Sequence, residues 1–383
     1  MKLKVFSWHP VLTDHQIFTL EAMAKCLKAE LRVCVSKKQD SIREEQGWSV
    51  TESKKIEIDI IPQFLWPWFS FKCLTNNKNA IHLFGSPFEQ PKLIIALFVA
   101  LFMGLEVYLI AEPYSPIAAG YLSDKGALKN RIKSLLRPFL YKVYGYFLRK
   151  RLSGVFAISS LAVRQYKSMG VPDSKIHPFG YFVPKIEPTL KVPDNSDPSP
   201  GKCKIIFVGN LIHRKGLDLL INAANKTYEK NKNFYIDIYG HGNPDLFAFN
   251  NTYIRYRGKI PFGNAQSVIA NYDLLVLPSR YDGWGVVVNE AILAGIPVVC
   301  SADVGASLLV RRIGCGIVYK TYSEDELADV LLFLSTHPNY LERMAHAAIN
   351  YQDCLSPVIA GAYMANSITS SRVKAKKPDN PWY

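Results

Sequence analysis

Two carboxylates stand eight residues apart in the stretch RYDGWGVVVNEAILAGIPVV, residues 280–299. Asp282 precedes a Gly-Trp-Gly triplet, and Glu290 lies in an apolar run that we expect to form a helix from about Val287. Carboxylates accept hydrogen bonds from sugar or ribose hydroxyls, glycines let backbone approach a ligand, and a helix N-terminus favours phosphate. The stretch predicts a pocket for such a ligand, with Glu290 in the first helical turn. The alternative is an ordinary turn and helix.

A second candidate anion site lies in VGNLIHRKG, residues 208–216. This segment combines a strand end, a glycine, the basic pair Arg214 and Lys215, and the start of a helix. Free backbone N–H groups at a strand-to-helix junction bind anions, and basic side chains add positive charge. A solvent-exposed connecting loop with basic residues would have the same sequence pattern, so the anion site and the exposed loop both remain possible interpretations. The stretch IYGHGNP, residues 238–244, is a second and weaker glycine-rich strand end.

Short apolar runs of strand type alternate with helical patterns along the chain. This alternation is typical of an α/β fold, in which helices wrap parallel sheets. The pattern stops at residues 187–202, which are rich in Pro, Ser and Asp, and then restarts. We predict strands at 4–7, 31–35, 80–84, 106–111, 154–158, 203–209, 234–240, 274–279 and 297–301, and helices at 15–27 and 215–230.

The length of 383 residues exceeds one comfortable core, so two domains are expected. Residues 1–186 form the predicted first domain, 187–202 the linker and 203–350 the second domain. Residues 351–383 are expected to form a C-terminal helix and tail that pack back toward the first domain. Two doubly wound domains would face each other across a cleft, with ligands at the carboxyl ends of the strands.

The formal net charge of +14 calls for an anionic partner such as nucleic acid, an acidic membrane or a phosphorylated ligand. Seven cysteines without a C-x-x-C pair favour neither a disulfide framework nor a zinc site, and a reducing compartment fits best. The N-terminus lacks the apolar core of a secretory signal. Residues 93–111 could pass for a membrane span, but Gly104 and Glu106 interrupt them. We prefer a buried helix to about Phe102 followed by a strand.

Four polar residues of the first domain lie near predicted strand ends: His9, His15, His82 and Glu112. We expect them to converge on one rim, where an acceptor would bind. The competing interpretation is that each is a satisfied polar residue in a loop.

Residues 126–151 contain eight basic residues and no acidic one. Pro138 should kink or split the predicted helix. Either the helix faces the core with a solvated basic side, or it lies on anionic lipid. The apolar residues that repeat at helical spacing are Leu128, Ile132, Leu135, Phe139, Leu140, Val143 and Phe147.

The segments VGNLIHRKGLDLLINAA and LPSRYDGWGVVVNEAILAGIPVVCSADVG resemble the donor half of family 4 of the retaining glycosyltransferases, which have the two-domain GT-B fold. The resemblance is carried by residues 154–320, and in the first 150 residues by SWHPVLTDHQIFTLEAMAK. The family carries E-x7-E where this chain has D-x7-E. It often has Gly-Arg-Leu where this chain has Gly209-Asn210-Leu211, so one phosphate arginine is missing.

The resemblance implies a role for each matching residue. Lys215 would hold the nucleotide diphosphate, with Arg214 in place of the missing arginine. Glu290 would bind the ribose, and Asp282 with the Gly-Trp-Gly backbone would hold the transferred sugar. The catalytic candidates are Asp282, Lys215, Glu112 and His82. The donor-binding candidates are Gly209, Asn210, Arg214, Lys215, Gly240, Gly242, Gly283, Trp284, Gly285, Val286 and Glu290. No metal and no permanently bound cofactor are expected.

The resulting hypothesis is a retaining glycosyltransferase that moves a sugar from a UDP- or GDP-sugar to a lipid-linked or cell-envelope polysaccharide. It would act at the cytoplasmic membrane face, bound peripherally through residues 126–151. A glycosyltransferase with a soluble acceptor is one alternative. A Rossmann-type NAD-dependent oxidoreductase is another, disfavoured because FSWHPVLTD stands where G-x-G-x-x-G would follow the first strand. A nucleic-acid binder rests on charge alone, without a recognition motif.

Overall fold

The computed structural model describes residues 2–37, 56–114, 128–186, 201–249, 252–261 and 263–383. The chain forms two compact units, each built on a parallel β-sheet. The first unit comprises Met1–Tyr114, Leu136–Pro184 and Ser356–Pro381, and the second comprises Ser115–Leu135, Lys185–Leu355 and Trp382–Tyr383. The predicted linker, residues 187–202, lies outside the described residues except for its last two positions.

The first unit is built on a seven-stranded sheet in the order β3-β2-β1-β4-β5-β6-β7. Two of its inner strands, β4 and β6, are buried along their whole length, which explains why they read as continuous apolar runs. The strands are β1 Lys4–His9, β2 Glu30–Val35, β3 Glu57–Ile60, β4 Ile81–Gly85, β5 Glu106–Ala111, β6 Gly154–Ile158 and β7 Ile176–Phe179. The helices are α1 Asp14–Cys26, α2 Trp66–Asn76, α3 Pro91–Phe102, α4 Leu128–Arg151 (from Leu136 on), α5 Ser159–Ser168 and α12 Pro357–Arg372.

The second unit is built on a six-stranded sheet in the order β10-β9-β8-β11-β12-β13. This is the strand order of dinucleotide-binding Rossmann domains, whose ligands bind where the order reverses, here between β8 and β11. The strands are β8 Cys203–Val208, β9 Phe234–Tyr239, β10 Ile254–Gly258, β11 Leu274–Leu277, β12 Val298–Ser301 and β13 Gly316–Tyr319. The helices are α6 Leu217–Lys230, α7 Ala265–Ile269, α8 Val286–Leu293, α9 Ser307–Ile313, α10 Glu324–Thr336 and α11 Pro338–Tyr351.

The α/β prediction is confirmed, and every predicted strand is present. The structure adds β3, β7, β10 and β13, which the sequence pattern did not reveal. Residues 93–111 form α3 and β5, joined by a turn at Gly104 with a φ of 71°. Among the described residues, no helix is long and apolar enough to span a membrane.

The C-terminal helix α12 belongs to the first unit and packs against α1. A side chain at Gly361 would place its Cβ 2.5 Å from the Ala22 Cβ, so the two helices approach closely there. Tyr363 stacks on Phe179 of β7, and Arg372 pairs with Glu106 at 3.1 Å. The last segment of the chain thereby completes the first unit.

Helix α4 runs through Pro138 without splitting. Leu148 near its C-terminal end is buried in the core of the first unit, and Phe147 packs against Phe98 of α3 at a ring distance of 5.9 Å. Most of the described apolar stripe faces solvent, which does not fit the core-facing interpretation for that part of the helix, whereas Phe147 packs against α3. The exposed members of the stripe are Ile132, Leu135, Phe139, Leu140 and Val143.

Candidate active site

The candidate residues of the second unit lie on two loops that follow adjacent strands. One loop leaves β8 and leads through a short 3₁₀ turn, His213–Lys215, into α6. The other leaves β11 and leads into α8. Because β8 and β11 are neighbours, both loops lie at the carboxyl edge of the sheet, where the strand order reverses. The fold therefore brings Lys215 and Asp282 together from positions 67 residues apart.

The two loops are fastened to each other by two arginines. The Arg214 Nη1 donates to the carbonyl of Tyr281 at 2.9 Å, and the amide of Arg280 donates to the carbonyl of Arg214 at 2.9 Å. The Arg280 guanidinium also donates to the His213 carbonyl at 2.7 Å and holds both carboxylate oxygens of Asp218, at 2.7 and 2.5 Å. Such bidentate pairs fix geometry as well as charge. The loop positions are thus set independently of a ligand.

Arg214 departs from the role that the resemblance implies. Its side chain is buried, with 4% of the residue exposed, and it donates to a backbone carbonyl inside the protein. It contributes positive potential and holds the loop, but the structure does not present it to a ligand. We correct the expectation that Arg214 replaces the arginine missing at Asn210.

Lys215 and Asp282 form a buried ion pair. The Lys215 Nζ lies 2.5 Å from the Asp282 Oδ2, and the two side chains are only 14% and 12% exposed. Burial alone would raise the pKa of Asp282. The charges of Lys215 and Arg214, with hydrogen bonds from Lys215 and the Trp284 amide, outweigh it and lower this pKa. Asp282 is therefore held as a carboxylate.

The Gly283-Trp284-Gly285 triplet forms the entry to α8. Trp284 is buried, and its indole N–H donates to the Asn289 Oδ1 at 2.8 Å. Gly285 caps the helix with a φ of 86°, which favours glycine. In the part of the chain that the structure describes, the amides of Gly285 and Val286 have no protein acceptor. These donors, at the positive end of a helix, suit an anionic ligand.

Glu290 lies at the start of the second turn of α8, one helix position later than predicted, because the helix begins at Val286 and not at Val287. Its side chain is half-buried, and no described residue forms a hydrogen bond or ion pair with its carboxyl group. Burial raises the pKa of Glu290 to about 7. The group is thus a desolvated acceptor without an internal donor, which is the condition of a carboxylate awaiting ligand hydroxyls.

The glycines after β8 and β9 bring these two strand ends into contact. A side chain at Gly240 would collide with the carbonyl of Gly209, and a Cβ at Gly242 would lie 2.7 Å from the Leu211 Cβ. The amide of Leu211 donates to the His241 carbonyl at 2.7 Å, on the residue between the two glycines. Gly240 and Gly242 are therefore required for packing. Asn210 is half-buried between the two joined glycine turns.

His82 does not lie at the rim where the sequence placed it. It is fully buried within β4, where its Nδ1 accepts from the Trp8 indole at 3.3 Å and its Nε2 donates to the Asn77 carbonyl at 3.1 Å. Burial lowers the pKa of His82 to about 4, so the ring is neutral. Because both ring nitrogens are used inside the core, we withdraw the catalytic role suggested for His82.

The remaining candidates of the first unit lie at the carboxyl edge of its sheet. His9 ends β1, and burial lowers its pKa to about 4; its Nε2 lies 2.7 Å from the Ser7 Oγ. Glu112 follows β5 directly and is half-buried. His15 lies in the first turn of α1, with its ring 4.3 Å from that of Tyr181.

Sequence reasoning missed Arg280 and Asp218, which join the two site loops. Arg280 is the first residue of the stretch 280–299, but its partner Asp218 stands 62 residues earlier, and no local spacing links them. Asn289 was missed for a similar reason, because its bond to Trp284 appears only once the loop is folded. Among the described residues, no three His, Cys, Asp or Glu side chains are grouped to hold a metal ion.

Solved structures share this two-unit architecture. A crystal structure of WaaG, a glycosyltransferase involved in lipopolysaccharide biosynthesis, matches 96% of this chain and all of its own, with a TM-score of 0.64 and 17% identity. HepE of Anabaena, solved with UDP-glucose, matches 96% of this chain and all of its own, with a TM-score of 0.67 and 15% identity. Two Rossmann-like parallel-sheet domains of this kind define the GT-B fold, which confirms the predicted fold class.

The second unit is also similar in sequence to known glycosyltransferases. Residues 191–351 match the family model described as Glycosyl transferases group 1. The alpha-D-kanosaminyltransferase of Streptomyces kanamyceticus is 28% identical over 151 residues, 38% of this chain and 39% of its own. The lipopolysaccharide glucosyltransferase WaaG of Escherichia coli strain K12 is 27% identical over 155 residues, 39% of this chain and 41% of its own. The chain thus spans about two fifths of the length of the curated relatives it matches.

Removal of one partner from the Lys215–Asp282 pair should destabilise the second unit more than removal of both charges. Lys215→Ala leaves Asp282 buried without its partner, and such changes cost about 3–5 kcal/mol. The double variant Lys215→Ala/Asp282→Asn should recover much of that loss. Urea unfolding of the four proteins of this cycle measures the coupling. Additive losses in the double variant would contradict a buried, coupled pair.

Glu290→Gln should change the pH dependence of stability in the ligand-free protein. A raised carboxyl pKa contributes stability that is present below the ordinary value of 4.5 and lost as pH rises through about 7. Above pH 7 the Gln variant should therefore be the more stable protein, by up to about 3 kcal/mol. Thermal melts across this range test the expectation. A Gln variant that is less stable at every pH would indicate an internal partner for Glu290.

Proposed function

We propose that this protein is a retaining glycosyltransferase of family 4, which transfers a sugar from a nucleotide-diphosphate sugar to a glycan acceptor. The observation that carries the proposal is the arrangement at the carboxyl edge of the second sheet. There a buried lysine–aspartate pair, an open helix N-terminus and an unpartnered glutamate lie on the two loops of the switch point. The group 1 family match over residues 191–351 supports the same activity.

Each group has a role that its environment suits. The Glu290 carboxylate accepts hydrogen bonds from the ribose hydroxyls. Lys215 and the N-terminus of α8 hold the diphosphate, with the backbone of Gly209 and Asn210 at the neighbouring strand end. Asp282 and the backbone of Gly283 and Trp284 bind the transferred sugar. A UDP-linked donor is favoured, since HepE, with the same fold, was solved with UDP and with UDP-glucose.

The ion pair also suits the chemistry of transfer. When the sugar leaves, negative charge develops on the diphosphate, and a cation already fixed in a dry site stabilises that charge without reorganisation. Lys215 is such a cation, held 2.5 Å from Asp282. Together with the helix N-terminus it supplies positive charge that a metal ion would otherwise provide. We therefore propose that transfer needs no metal.

We assign the acceptor to the first unit, where the half-buried His15 and Glu112 lie at the carboxyl edge of the sheet, whereas His9 is fully buried. We further propose a lipid-linked or cell-envelope glycan as acceptor, reached at the cytoplasmic face of the membrane. The exposed stripe of α4 supports peripheral attachment, because its Leu135 and Phe139 are 68% and 66% exposed on a helix with eight basic residues and no acidic one. A soluble acceptor would not call for such a surface.

Asp282→Asn should separate donor binding from turnover. The variant loses the charged acceptor for the sugar, so release of UDP from UDP-sugars should fall by about 10²-fold or more, by analogy with loss of one preorganised group. Binding of free UDP should be unchanged or tighter, because Lys215 is released from its internal partner. Calorimetry with UDP and a nucleotide-release assay over a panel of UDP- and GDP-sugars measure both. Asp353→Asn, at an exposed aspartate, is the control. Equal loss of UDP binding would place Asp282 elsewhere.

Removal of three exposed charges from α4 should release the protein from anionic vesicles. Lys142, Arg149 and Lys150 changed to Gln should cost about 3 kcal/mol at low salt, roughly 1 for each basic side chain near the surface. The matched control removes the same charge from exposed residues of the second unit, as Lys230, Arg312 and Lys320 changed to Gln. Vesicle sedimentation at several salt concentrations tests both. Equal loss in the two triple variants would reject α4 as the contact surface.

A further inference from the structure

We propose that an apolar pocket between α2 and α3 of the first unit holds one hydrocarbon chain of an anionic membrane lipid. This inference deepens the proposed membrane attachment and rests on it. It adds a binding site on two helices that the basic segment 126–151 does not include.

The pocket has a volume of about 390 Å³, within the range of small-ligand sites. Its walls are almost entirely apolar, so an apolar occupant of this open pocket would remove apolar surface from water, which is favourable. Bulky rings on α2 face short side chains on α3, which leaves the space between the helices open. The walls include Trp66, Phe71 and Leu74 of α2 and Ile95, Ala96 and Val99 of α3.

The mouth of the pocket carries large apolar side chains in contact with solvent. Trp68 and Phe71 of α2, which line the pocket, are 66% and 53% exposed. Ile95 stands exposed on the α3 side. Large exposed apolar side chains grouped around one pocket are consistent with an interaction site, and exposed tryptophans favour the boundary between lipid and water. The patch is therefore suited to entry into a bilayer.

The charge around the pocket selects the kind of partner. Helices α2, α3 and α4 contain one, one and eight basic residues and not a single acidic residue. This is a large excess even for a chain with 46 basic and 32 acidic residues. A protein partner or a second copy of this chain would present mixed charges, whereas an anionic bilayer presents negative charge above hydrocarbon. The combination of basic helices and apolar pocket fits the bilayer.

Helix α3, which forms one wall of the pocket, also contacts α4. Phe98 and Phe102 of α3 contact Phe147 of α4 at ring distances of 5.9 and 6.2 Å. The Arg151 guanidinium lies 4.9 Å above the ring of Phe102, itself 61% exposed, so a cation and an apolar ring meet at this surface. In our proposal α4 supplies charge attraction, while the pocket takes a chain that leaves the lipid layer.

Photochemical labelling tests the site directly. The full-length protein is bound to phosphatidylglycerol vesicles that contain a phospholipid with a photoreactive group near the end of one acyl chain, and labelled peptides are identified by mass spectrometry. We expect label on residues 66–74 and 95–99. Label restricted to α4, or no binding of the protein to these vesicles, would overturn the proposal.

Variants separate the pocket from the charged surface. Ala96→Phe fills the pocket and should abolish label on residues 66–74, while charge-driven vesicle binding and UDP-sugar turnover remain. The double change Trp68→Ser/Phe71→Ser removes the mouth and should weaken vesicle binding at least tenfold. Leu246→Ser/Val373→Ser, which removes two exposed apolar residues elsewhere, is the matched control and should bind as wild type.

Two results would contradict the lipid assignment. One is equal vesicle binding by the mouth variant and its control. The other is a wild-type dimer, seen by light scattering, that the mouth variant dissociates, because the occupant would then be a second copy. Failure of wild-type protein to turn over any UDP-sugar would reject the proposed transferase activity. The labelling experiment would still test the lipid-binding pocket, because it does not depend on transferase activity.

Discussion

The buried ion pair between Lys215 and Asp282 is the interaction on which the candidate site depends. Charges removed from water are costly unless partners compensate them, and here the compensation comes from both site loops. The pair therefore fixes the end of β8 against the end of β11, and with them the N-termini of α6 and α8. Arg280 and Arg214 secure the same junction through backbone carbonyls and Asp218. A site fastened in this way keeps its geometry without a ligand.

The pKa values of the two carboxyl groups of the site are shifted in opposite directions. Asp282 is near two cations and its pKa is lowered, whereas burial raises that of Glu290 to about 7. Pairs of titratable groups with diverging pKa values indicate divided roles. Asp282 keeps its charge in the resting protein and neutralises Lys215. No described residue donates a hydrogen bond to the carboxyl group of Glu290. A ligand with hydroxyl groups can therefore donate to it.

Short sequence patterns predicted the fold and the central residues of the site. The strands and residues that they missed or misplaced have physical explanations. Strands β5 and β6 were predicted with their observed bounds, because buried parallel strands are continuous apolar runs. The edge strands β3 and β10, EIDI and IRYRG, carry charges that hide them. His82 was misplaced because a strand buried on both faces gives no alternation, so sequence cannot tell which way its side chains point. Arg280 and Asp218 meet only through the fold.

The distribution of charge separates the two anionic partners that the net charge of +14 could indicate. At the candidate site two of the three cations are already balanced by carboxylates, Lys215 by Asp282 and Arg280 by Asp218. The site therefore adds little to the excess. The acid-free helices α2, α3 and α4 carry ten basic residues without compensation from their own sequence. Long-range attraction follows uncompensated charge, so the excess favours the proposed lipid surface, not the nucleotide, as its partner.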